Sequence, residues 1–140
     1  QILIGDAGSA NNNFIIANGT GALQLGGILY NGTNQANNSR PVLLEGTNTD
    51  ANTIGDITFN FARTTAGANG NSSVTKNGSG LWVLSGSNSY NVTGGPGTAG
   101  TYTTTVNNGT LRLGNANALP GGIGSSGGAS ALNINGGVLE

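Results

Sequence analysis

The sequence predicts an all-β chain, a parallel β-helix or β-solenoid with short rungs and Asn/Gly turns. Three observations carry that expectation. The apolar runs are short, bounded by Gly or Asn, and several alternate with polar residues. Asn-Gly occurs six times, at Asn18-Gly19, Asn31-Gly32, Asn69-Gly70, Asn77-Gly78, Asn108-Gly109 and Asn135-Gly136, and both residues tolerate the positive φ of tight turns. One strand-plus-turn grammar also recurs. Asn108–Leu113 reads as turn, Thr, then alternating Leu; Asn18–Leu25 repeats it; Ala131–Ile134 and Asn135–Glu140 follow it more loosely. A β-sandwich is the alternative architecture, because Asn-Gly turns also suit hairpins.

Strands are expected at Phe14–Ala17, Ala22–Leu25, Ile28–Tyr30, Val42–Glu45, Asp56–Ala62, Val74–Lys76, Leu81–Leu84, Thr101–Val106, Thr110–Leu113, Ala131–Ile134 and Gly137–Leu139. In the fifth, Ile57, Phe59 and Phe61 share one face and Thr58 and Asn60 the other. Leu111 and Leu113 share a face, as do Leu132 and Ile134. With Ile57 and Phe59, these four are the expected core. No segment keeps helical periodicity over three turns, and Asn, Thr, Ser and Gly are mediocre or poor helix formers. A rung of about 20–25 residues would give roughly six or seven rungs, spaced about 4.8 Å apart. Residues 1–140 read as one solenoid domain or segment.

Composition excludes most chemistry. Gly, Asn, Thr and Ser make up 76 of the 140 residues. Charged residues are 6%, with a formal net charge of −1 and no His, Cys or Met. Without His there is no imidazole base, and without His or Cys no ordinary zinc site. Four basic residues make no nucleic-acid footprint. No apolar stretch approaches the length of a membrane-spanning helix. Leu, Ile, Val and Phe total 31 residues in short runs, which with near-zero charge indicates a folded chain with a thin core rather than disorder. A chain starting at Gln1 reads as a mature, processed protein or an excised piece. So little Lys, Glu and Arg beside so much Asn, Gly and Thr suits a surface protein more than a cytosolic one.

The stretch from Val74 to Pro120 carries a more specific signal. VTKNGSGLWVLSGSNSY (Val74–Tyr90) is followed, after an insert, by VNNGTLRLGNANALP (Val106–Pro120). With Lys76, Gly78, Gly80, Leu84, Gly86, Asn88, Tyr90, Val106, Gly109 and Leu111 at the matching positions, it resembles the autotransporter-associated β-strand repeat of bacterial surface proteins. Residues 91–105 depart from that pattern as an insert, and residues 1–73 share the grammar without the motif. The resemblance implies a right-handed parallel β-helix in a secreted passenger domain, with adhesive or structural roles and no single shared ligand.

Candidate sites are sparse. Asp50, Asn52 and Gly55 fall where a calcium loop has its first, third and sixth positions, but Ile54 occupies the fifth and Phe61 the place of the bidentate Glu. A loop stabilised by its Asx side chains is the plainer reading. Glycosidase-type carboxylates would have to come from Asp6, Glu45, Asp50, Asp56 and Glu140. Thr101, Thr103 and Thr105 alternate and could form an ice-binding row, although Thr is common in strands. Trp82, Tyr90 and Tyr102 could stack on sugar rings; Trp82 either faces outward, opposite Leu81 and Val83, or lies in the core with Leu84. Seven Asn-x-Ser/Thr sequons begin at Asn18, Asn31, Asn37, Asn71, Asn77, Asn91 and Asn108. No catalytic, cofactor-binding or metal-ligating residue is assigned from these, and no cofactor.

The expectation is therefore a non-enzymatic extracellular structural protein of the bacterial cell surface, a subunit of a self-assembling fibre or matrix. No segment reads as a cap, and the sequence ends in mid-pattern at Val138-Leu139-Glu140. End-to-end stacking of copies is accordingly the expected partnership. A passenger fragment of an adhesin binding glycan or a host surface is the alternative, and an ice-binding solenoid a weaker one. No nucleic-acid partner and no membrane span are expected.

Overall fold

The computed structural model describes residues 2–4, 13–33, 40–62, 72–89, 102–120 and 130–140. These form eleven strands: β1 (Ile2–Ile4), β2 (Asn13–Ile16), β3 (Gln24–Thr33), β4 (Arg40–Glu45), β5 (Asn52–Ala62), β6 (Ser72–Lys76), β7 (Leu81–Leu84), β8 (Tyr102–Val106), β9 (Thr110–Leu113), β10 (Ser130–Ile134) and β11 (Val138–Leu139). No helix occurs among the described residues.

The strands alternate strictly between two sheets. The odd-numbered strands form one, in the order β1-β3-β5-β7-β9-β11, and the even-numbered ones the other, in the order β10-β8-β6-β4-β2. Every named pairing is parallel, from β1 with β3 to β11 with β9. Each strand therefore pairs with the strand two further along, and the chain crosses from sheet to sheet between them. The Asn-Gly turns do not close hairpins. Asn77-Gly78, Asn108-Gly109 and Asn135-Gly136 carry the chain from the even sheet to the odd one. Asn31-Gly32 is no turn at all but part of β3, paired with Asn60 and Phe61. Asn69-Gly70 lies outside the described residues.

Paired residues stand further apart in sequence than the expected 20–25. The spacing runs from 26, in Ile2↔Ile28, to 32, in Arg40↔Ser72. The six odd strands thus span five inter-strand steps, about 24 Å. Long strands and long connections both contribute to the extra length. β3 and β5 have 10 and 11 residues, and the odd-to-even connections at 63–71, 85–101 and 114–129 are longer than any return connection, 17–23, 46–51, 77–80, 107–109 or 135–137. The insert expected at 91–105 contains most of β8, the even-sheet strand this part of the chain must supply. β1, with only three residues, escaped the sequence reading.

Register turns the alternation of each strand into columns. Val42, Val74, Thr104 and Leu132 follow one another across the even sheet, and Leu44, Lys76, Val106 and Ile134 form the next inward column. In the odd sheet Trp82 lies between Asn52 and Leu111, and Leu84 between Ile54 and Leu113. Inward residues of both sheets meet in one core with Ile28, Tyr30, Ile57 and Phe59. The Tyr30 and Phe59 rings, in register, stack at 4.4 Å. Ile57, Phe59 and Leu111 are buried as expected, and Leu113 packs against the core partly buried. Leu132 and Ile134 are not buried: they lie 37% and 52% exposed. Their columns are right, but among the described residues no strand follows β10 to cover them.

Candidate functional site

The most elaborated part of the molecule is the edge where the even strands turn into the odd ones. Backbone bonds tie each turn to its neighbour along the stack. Ala17 N donates to Glu45 O, Gly80 N to Gly46 O, Thr110 N to Gly80 O and Val138 N to Gly109 O, at 2.8–3.2 Å. Such close stacking leaves little room for side chains. A Cβ on Gly78 would fall on the Gly46 backbone, and one on Gly109 on the Gly78 carbonyl. Gly46 and Gly109 also hold φ of 103° and 65°, where L-residues are strained.

Outside the turns runs a ladder of carboxamides. Asn135 Nδ2 donates to Asn107 Oδ1 and Asn107 Nδ2 to Asn77 Oδ1, both at 2.8 Å. Asn77 Nδ2 donates to Glu45 Oε1 at 2.9 Å. A carboxylate can only accept, so Glu45 sets the direction of the ladder: each Asn donates toward β4, and Asn77 and Asn107 accept from the β10 side. Inside the turns lies Lys76, fully buried between Leu44 and Val106. Its ammonium donates to the carbonyls of Gly78 and, at 3.2 Å, Asn108. Burial pushes its pKa below the usual lysine value, and the nearby Glu45 charge pulls the other way. Trp82 completes the group. It is wholly buried, and its Nε1 donates across the core to Glu45 O at 3.0 Å. Of the two orientations the sequence allowed, Trp82 takes the inward one with Leu84, so it offers no face to an external sugar.

Buried asparagines clamp layers where the strand ladders are interrupted, Asn52 and Asn88 most fully. Asn52 Oδ1 accepts from Leu23 N on one side, and its Nδ2 donates to Leu81 O on the other. Asn88 Oδ1 accepts from Ile57 N, and its Nδ2 donates to Ala118 O. Each side chain replaces the peptide group that a regular strand would supply.

The other candidates are dispersed. Asn52 is a clamp, so its oxygen is committed to backbone, and Gly55 packs against the Gly26 backbone. Among the described residues no three His, Cys, Asp or Glu side chains gather where they could hold a metal. Asp56 Oδ1 accepts from Ser87 N, and Glu140 pairs with Arg112 at 2.6 Å on the surface; Glu45 serves the ladder. Asp6, Tyr90 and Thr101 lie outside the described residues. Thr103 and Thr105 align with Ser73 and Thr75, but the flanking strands carry Pro41 and Leu43 on one side and Ala131 and Asn133 on the other. The hydroxyl row is thus two strands wide. An open groove of about 470 Å³ lies beside the turn edge, lined by the exposed Phe14 and Ile16 with Asn18, Glu45, Thr47 and Ser79.

Neither the family models nor the curated proteins nor the solved structures include a match to this chain. The repeat-like residues are therefore interpreted from what they do here. Lys76, Leu84, Asn88, Val106 and Leu111 are buried, and Gly78, Gly80, Gly86 and Gly109 lie against the backbone of the neighbouring layer. All are contacts between successive layers. The sequence reading missed Asn48 and Asn52 as clamps. Asn48 Nδ2 donates to Gly21 O at 2.8 Å, yet with 22 Asn in the chain nothing in residue type singles either out.

Proposed function

We propose that the chain is a β-solenoid and a non-enzymatic structural module of an extracellular bacterial surface fibre or matrix, related to autotransporter-repeat passengers, that associates end to end with further copies. The observation that carries this reading is the strict alternation of parallel strands between two sheets. Such a body grows by adding layers, each held by backbone bonds to the last. Its conspicuous side chains serve the same end: the Asn ladder, the Asn52 and Asn88 clamps and the buried Lys76 all join one layer to the next. Uncovered Leu132 and Ile134, at the edge of the last even strand, are surfaces that a further layer would bury. The low charge puts little repulsion between stacked copies.

Negative-stain electron microscopy of the purified protein tests the association. Filaments that lengthen with concentration and persist on dilution support it. Monodisperse particles at every concentration overturn it and leave the adhesin-passenger reading, for which a glycan array is the next experiment.

A further inference from the structure

Among the described Asn-Gly pairs that lie in turns between strands, Asn108-Gly109 is built differently. Asn77 and Asn135 direct their carboxamides along the stack, into the ladder, and Asn18 Oδ1 accepts from Thr47 N of the next layer at 3.1 Å. In the β8–β9 turn the ladder position belongs to Asn107. Asn108 is therefore left at the turn apex, exposed to solvent. Its Oδ1 folds back and accepts from the N–H of the very next residue, Gly109, at 2.8 Å. That contact holds the carboxamide oxygen, one bond from Cγ, against the Gly109 nitrogen, and Gly109 has no side chain to obstruct ring closure. On the inner side of the same peptide group, the Lys76 ammonium donates to the Asn108 carbonyl at 3.2 Å.

We propose that Asn108-Gly109 is a self-modification site at which Asn108 deamidates through a succinimide, and that Lys76 directs the product to isoaspartate. In the first step the Gly109 nitrogen gives its proton to solvent and attacks Asn108 Cγ. The new N–Cγ bond forms as the Cγ–Nδ2 bond breaks, and the amide nitrogen takes a proton and leaves as ammonia. In the second step water adds to the Asn108 main-chain carbonyl carbon, and the bond from that carbon to the Gly109 nitrogen breaks. The nitrogen stays on Cγ, the former main-chain carbonyl becomes a free carboxylate, and the water's remaining proton goes to solvent. No electrons change hands. Lys76 acts on both steps through one contact. Polarising the Asn108 carbonyl acidifies the Gly109 N–H, and the same ammonium then faces the oxyanion that develops when water adds there. The product carboxylate forms beside a buried cation. The turn gains one backbone atom and one negative charge at a junction between layers.

The test is a time course of the folded protein in mildly alkaline buffer, with each Asn-Gly site followed by fragment mass and isoaspartate separated from aspartate by electron-transfer fragmentation. Asn108 should convert about ten-fold faster than Asn18, Asn77 or Asn135, as expected of a preoriented pair. The four rates should converge in denaturant. The isoaspartate share at position 108 should be higher in folded than in denatured protein, and should fall to the denatured value in folded Lys76→Gln. If the variant does not fold, the folded-versus-denatured comparison in the unaltered protein decides alone. Equal rates at Asn108 and Asn77 in the folded state, or the same preference for Asn108 in denaturant, would overturn the site. An isoaspartate share indifferent to folding would overturn the role of Lys76.

Discussion

The middle and the last layers of the even sheet are built on the same two columns, and they differ only in what lies above them. In the middle, Val74 and Lys76 of β6 and Thr104 and Val106 of β8 are fully buried. One strand further, Leu132 and Ile134 of β10 continue those columns in register, with alternation that is no less clear, and stand 37% and 52% exposed. Strand position sets which way a side chain points; the neighbouring layer sets whether it is buried. Stability in this molecule is thus a property of junctions between layers more than of any strand.

Substitutions along the stack measure how much the covering layer contributes. The largest loss should come from Trp82→Ala, about 3–5 kcal/mol for the vacated volume together with the lost bond to Glu45 O. Leu44→Ala, buried between Ile15 and Lys76, should cost about 2–5 kcal/mol. Ile134→Ala, at the end of the same column, should cost about 1 kcal/mol or less, because half of its surface is already in water. Equal costs for these two in chemical denaturation would mean that β10 is covered in solution. Asn88→Ala, comparable to Leu44→Ala and well above Ile134→Ala, should cost about 1–3 kcal/mol for each backbone group left buried without a partner; those groups are Ile57 N and Ala118 O. Asn135→Ala removes one exposed rung of the ladder and should cost less than about 1 kcal/mol. The smallest effect should be Arg112→Ala, within about 0.5 kcal/mol, since the pair it breaks is 46% and 45% exposed.

Much of the fold was legible because period-two alternation survives even in strands of four residues. Leu111–Leu113 and Ile57–Phe59 announced their inward faces directly. The spacing of 26 to 32 residues between paired strands was not legible, because it depends on the connections between strands, which carry no apolar pattern. The Asn-Gly pairs were ambiguous for a physical reason: positive φ serves a hairpin and a turn between stacked sheets equally well, and only pairing partners some thirty residues away decide between them. Trp82 shows the same limit. Its neighbours alternate apolar on both faces, so alternation left two orientations open, and the acceptor that settles them, Glu45 O, is 37 residues distant in sequence. Lys76 could be picked out as the sole lysine, but a lysine fully buried in an aliphatic column runs against its usual preference. It is stable there because the turns place two carbonyls around its ammonium.

Strands two apart in the chain lie parallel and in register. The chain has no cysteine, so introduced pairs report on it cleanly. Parallel neighbours are about 4.8 Å apart, within reach of a disulfide or a short thiol-bridging reagent. Thr75→Cys with Thr105→Cys, and Ser73→Cys with Thr103→Cys, are in-register outward pairs between β6 and β8. Both should bridge rapidly, and the crossed pair Ser73→Cys with Thr105→Cys should not. Efficient bridging of the crossed pair, with failure of the two in-register pairs, would contradict the parallel pairing of β6 and β8.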